Sequence, residues 1–104
     1  MTIDDVRAAA EKAKAWRPEH DCSGVEEPTC RFCLGAQRAV EDIKKNVDYA
    51  CEMAERPTWN ARWQASDRHR AINSSQTAAR IASYFCDEPN PVSEFRDAVK
   101  EFCR

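Results

Sequence analysis

The chain reads as all-α, a small bundle of three to four helices with a zinc-binding loop between the first two. Three observations carry that expectation. Apolar residues recur at spacings of three and four in separate stretches, and no segment alternates with period two. Prolines at 18, 57 and 91 punctuate those stretches, while Gly24 and Gly35 are the only glycines. Finally, His20, Cys22, Cys30 and Cys33 crowd together in the pattern H-x-C-x7-C-x2-C.

The first helix is expected over residues 3–16. Thr2 is a cap candidate, and Asp4 and Asp5 fall in the first turn, where the helix dipole favours carboxylates. Ile3, Val6, Ala10, Ala13 and Trp16 form its apolar stripe, and Pro18 ends it. Residues 17–33 then form the metal loop. A structureless connection of that length is unusual in so small a domain unless something ties it down.

The second helix is expected over residues 33–55, opening near the C-x2-C pair. Ala36, Val40, Ile43, Val47, Ala50 and Ala54 give the strongest periodicity in the chain, with charged residues opposite. Pro57 stops it. The third helix, 58–85, is less regular. One side carries the small residues Ala61, Ala65, Ile72, Ala79 and Ser83; the other carries Trp59, Trp63, Arg70, Thr77, Ile81 and Tyr84. The run Asn73–Ser75 is weak helix former and marks a place for a break. After a turn at 87–91, Asn90 caps a fourth helix, 91–103, with Pro91 at its first position and Val92, Phe95, Val99 and Phe102 as its stripe. The whole of 1–104 is taken as one domain.

No apolar run approaches the roughly 18 residues of a membrane span. The acidic start M-T-I-D-D-V-R lacks the apolar core of a secretory leader, so the expected location is the cytoplasm. A reducing compartment turns the reading of six cysteines from disulfides towards metal. Zinc favours four Cys and His ligands, and C-x2-C lets two sulfurs reach one ion. His20, Cys22, Cys30 and Cys33 are therefore expected to hold a structural Zn2+ that fixes how α-helical residues after Cys33 leave the first helix. A Cys22–Cys30 disulfide or an iron–sulfur cluster using Cys22, Cys30, Cys33 and Cys51 are the alternatives. Cys51, Cys86 and Cys103 read as structural thiols, with Cys51 and Cys103 at one end of the bundle.

No catalytic function is expected. The zinc deaminase pattern, H-x-E followed by P-C-x-x-C, fails here: Cys22 stands at the glutamate position and Pro28 falls one residue early. Four protein ligands also leave zinc no open position. Asp67 and His69, two residues apart on a helix, do not face one another. No glycine-rich phosphate loop exists, and no small-molecule substrate is evident.

Charge is unevenly placed. Arg56, Arg62, Arg68, Arg70 and Arg80 stand against the one acid Asp67 in residues 56–80, leaving the rest of the chain acidic; the net charge is −2. The expected role is a zinc-stapled, protein-binding regulator or accessory module. It uses Trp59, Arg62, Trp63, Arg70 and Tyr84 of the third helix, since Trp and Arg dominate interface hot spots. The partner is a protein or a second copy of the chain. The first alternative is a nucleic-acid-binding module using the basic helix 56–80, which the acidic whole-chain balance disfavours, and the second is a small metal-dependent enzyme.

Overall fold

Local sequence sets the helix ends. The computed structural model describes residues 1–18, 31–56 and 61–104, without the side chains of 31–33 and 61. Among them lie α1 (Ile3–Ala15), α2 (Arg31–Glu55), α3 (Ala61–Ser83) and α4 (Pro91–Phe102), and no strand. At the start of α1, the Asp5 carboxylate accepts from the Thr2 backbone N–H at 2.9 Å, satisfying a donor that precedes the helix. The cap of α4 is more complete. Asn90 Oδ1 accepts from the N–H groups of Val92 at 3.0 Å and Ser93 at 2.9 Å. Ser93 Oγ in turn accepts from the Asn90 N–H at 2.9 Å. Pro91, the first helical residue, has no N–H to leave unpaired.

Asn90 itself is buried, and its Nδ2 has no hydrogen-bond partner among the described residues. That orphaned donor offsets part of what the cap contributes. Asn90→Ala is expected to lower stability by about 1 kcal/mol. Chemical denaturation of the two proteins measures it, and an unchanged midpoint would mean that the cap contributes nothing net.

The third helix runs unbroken through Asn73–Ser75, where the sequence marked a break. The reason is local bonding. Ser75 Oγ donates to the Ile72 carbonyl at 2.8 Å, and Thr77 Oγ1 donates to the Asn73 carbonyl at 2.9 Å. Both hydroxyls are satisfied by the helix they sit in and offer no competing conformation.

The helices form a ring in chain order. α1 packs on α2, α2 on α3, α3 on α4, and α4 back on α1; α2 and α4 touch only lightly across the diagonal, and α1 and α3 do not meet. Two ion pairs set the register of the first seam. Arg7 pairs with Glu55, and Lys14 Nζ lies 3.1 Å from Asp48 Oδ1. One chain number rises as the other falls, so α1 and α2 are antiparallel.

One face of each helix fills the centre. Val6, Ala10, Ala13 and Trp16 come from α1, and Val40, Ile43, Val47, Ala50 and Met53 from α2. From α4 come Val92, Phe95, Val99 and Cys103. These are most of the expected stripes, with Met53 and Cys103 added; Ile3, Ala54 and Phe102 are only partly buried against the cluster, and Ala36 is buried outside it. The stripe of α3 differs. Its buried residues are Asp67, Ala71, Ser75, Ala78, Ala79 and Ala82, whereas Ala65 and Ser83 are exposed and Ile72 is half-buried. At 100° per residue the inner face is turned by about a quarter of the helix from the one expected. The large apolar residues of α3, Ile72 and Ile81, pack against the core from its flanks and are only partly buried, while the fully inward positions are small.

Candidate interaction face on the third helix

The metal expectation is corrected first. Among the described residues, no three His, Cys, Asp or Glu side chains come together in a way that would hold a metal ion. Zinc as a structural cofactor, and a zinc-stapled function, are therefore withdrawn. His20, Cys22 and Cys30 lie outside the described residues; Cys33 falls in the first turn of α2, its side chain not described. Lys14, at the end of α1, lies beside Asp48. Asp48 is seventeen residues, or about 25 Å of helix, from Arg31 at the start of α2. The end of α1 thus lies far from the start of α2. Their mutual orientation comes from side-by-side packing of apolar stripes.

Cys51, Cys86 and Cys103 are free thiols. Cys51 is half-buried and packs against the core from α2. Burial pushes its thiol up to about 11; the carboxylates of Glu55 and Asp48 push the same way, against Lys14 and Arg7. It is protonated at neutral pH, a state in which a thiol is neither nucleophile nor metal ligand. Burial raises the Cys103 thiol as well, opposed by the charge of Arg68. Cys86 is exposed at the turn after α3.

What remains is the solvent face of α3. Turning the inner stripe 67–71–75–78–82 inward leaves Arg62, Ser66, His69, Arg70, Asn73, Thr77 and Arg80 exposed. At 100° per residue these seven lie within about 100° of arc. Arg62 and Arg80 are about 27 Å apart along the axis. Trp63, 63% exposed, stands at one end and Tyr84, 77% exposed, just past the other. Of the five residues assigned to a partner face by sequence, Arg62, Trp63, Arg70 and Tyr84 are exposed on or beside this surface. Trp59 lies outside the described residues.

The sequence did not reveal what happens to the one acid. Asp67 is 4% exposed, on the inner side of α3, with Arg56 Nη1 3.9 Å from its Oδ1. Its position in the 4-4-3-4 series with Ala71, Ser75, Ala78 and Ala82 was the available signal. The described surface of α3 is consequently free of carboxylate. Three cations on the other helices are ion-paired, while Lys12, Arg38, Lys44, Lys45, Lys100 and Arg104 are not paired with a described residue. Arg7 pairs with Asp4 and Glu55, Lys14 with Glu11 and Asp48, and Arg96 with Glu88 and Asp97. Arg68, Arg70 and Arg80 likewise make no ion pair with a described residue, in a chain that carries 18 acids. Burying Asp67 has a cost that a charged group pays only when it is paired or bonded, and Arg56 supplies a counter-charge.

No helix among the described residues is long and apolar enough to cross a membrane. The chain matches no known protein family, no curated protein and no solved structure.

Proposed function

We propose that the chain is a nucleic-acid-binding module that uses the solvent face of α3, with the other three helices as its scaffold. The observation that carries this reading is the acid-free face, on which Arg70 and Arg80 have no described carboxylate partner and are interleaved with Ser66, His69, Asn73 and Thr77. Arginine presents a planar fork of donors that suits phosphate oxygens, and the short polar side chains suit sugar and base edges. The whole-chain charge of −2, which favoured a protein partner, is an average over helices that point elsewhere. Electrostatic attraction between exposed charges is largely screened beyond about 8 Å at physiological salt, so the face nearest the ligand dominates. The reading gives the chain a binding role and no catalytic step.

A protein partner is the second reading, favoured by the exposed aromatic rings of Trp63 and Tyr84. Between those two residues the exposed positions of α3 are polar or charged except for Ala65, so an apolar centre to such an interface is missing.

Fluorescence anisotropy with a labelled oligonucleotide tests the proposal. Affinity is expected to fall steeply with salt, and Arg70→Ala or Arg80→Ala each to lower the salt slope by about one. Absence of binding at low salt would overturn the reading. So would capture of a protein that survives nuclease and high salt but is lost in Trp63→Ala.

A further inference from the structure

We propose that the nucleic acid taken by α3 is single-stranded, with Trp63 as the platform on which a base stacks at the head of the arginine track. This rests on the nucleic-acid reading and goes beyond it by choosing the form of the strand.

The contrast between two tryptophans is the starting point. Trp16 is 9% exposed and belongs to the core, whereas Trp63 is 63% exposed. A large aromatic ring left in water on a surface otherwise polar gains nothing for the fold and is available for another flat ring. Residues 62–66 are exposed at five successive positions, which together go more than once round the helix. The first turn of α3 is therefore exposed around its circumference, and the indole of Trp63 is open to an unpaired base.

The cations continue from the same place. Arg70 lies two turns after Trp63 on nearly the same line of the helix, and Arg80 is a further 15 Å or so along the axis. Tyr84 closes the far end. A strand whose first base stacks on Trp63 thus carries its phosphates past Arg70 towards Arg80. Stacking on an aromatic plane combined with a cationic track is how proteins hold single strands without reading sequence. In a duplex both faces of each base are already covered by neighbouring bases. Recognition there works through hydrogen bonds to base edges. A tryptophan ring offers one N–H for that purpose and a broad apolar plane that a duplex does not use.

The decisive comparison is the full chain with a labelled single strand and with a duplex of the same sequence, at low salt. The single strand is expected to bind more tightly. Trp63→Ala should weaken that binding by roughly tenfold while leaving the duplex affinity unchanged, and Trp63→Phe should restore most of the loss. Because Trp63 is exposed, circular dichroism of both variants should match that of the parent chain. Equal affinity for the two forms would overturn the single-strand proposal. So would a Trp63→Ala variant that binds as the parent does; if Arg70→Ala still weakened binding, the broader nucleic-acid reading would stand. Failure of both probes to bind at low salt would remove both.

Discussion

Phe95→Ala is expected to destabilise the protein by about 3–5 kcal/mol, the largest effect of any single truncation in the core. Phe95 is fully buried and is the bulkiest of the fully buried side chains. It sits in the middle of α4, the short helix that closes the ring by packing on both α1 and α3. Removing the ring forfeits its transfer free energy and leaves a hole. The hole cannot collapse fully, because the walls are helices fixed elsewhere. The fully buried residues of α3, on which α4 packs, are alanines and a serine, which have no spare length to fill a hole. Folded domains are stable by only about 5–15 kcal/mol, so the variant should lie near the edge of folding. Urea unfolding followed by circular dichroism gives the difference directly. Phe102→Ala is the internal comparison: Phe102 is only half-buried at the end of the same helix, and a clearly smaller loss is expected. Equal losses at the two positions would mean that α4 does not close the core as described.

How legible the fold was depended on side-chain size. In α1, α2 and α4 the apolar stripes contain valine, isoleucine, tryptophan or phenylalanine, and each stripe names its own inner face. Burial of Val6, Ile43, Val47, Phe95 and Val99 follows from spacing alone. The inner face of α3 is made of Ala71, Ser75, Ala78, Ala79 and Ala82, together with Asp67. No hydrophobicity scale separates those alanines and that serine sharply from Ala65 or Ser83 on the outside, and Asp67 argues against the face it lies on. The chain therefore showed that α3 has a small-residue side without showing which one. The consequence for the site was direct. The sequence placed Trp63, Arg70 and Tyr84 on a common side, and all three are exposed, but it left Asp67 among the surface charges. Only the packing reveals that the acid is withdrawn to the inside beside Arg56, leaving the outer face without carboxylate. The cysteine spacing misled for a different reason. A short C-x2-C pattern is a generic signal, and among the described residues no cluster of His, Cys, Asp or Glu side chains that could hold a metal ion accompanies it.

The small inner stripe of α3 leads to the second large effect. Ala78→Leu is expected to cost about 1–3 kcal/mol, although it adds apolar surface to a buried position. Ala78 is fully buried, as are Ala71, Ser75 and Ala82 on the same face, and α2 and α3 form the most extensive helix pair of the bundle. Side chains this short let backbones come close, and at close approach a leucine has nowhere to go. It must adopt a strained rotamer or push α3 outward, which would loosen its packing against both neighbours. Ala65→Leu, on the exposed side of the same helix, should change stability by no more than about 0.5 kcal/mol in either direction. Thermal unfolding of the pair distinguishes a sterically filled seam from a seam with room in it. If Ala78→Leu proved neutral or stabilising, α3 would not be held by close approach, and the orientation that turns Arg70 and Arg80 outward would need another cause. A folded Ala78→Leu protein should also keep its oligonucleotide affinity, since the substituted face is the one turned away from the ligand. Parallel loss of stability and affinity would instead mean that the spacing of α3 from its neighbours shapes the binding surface itself.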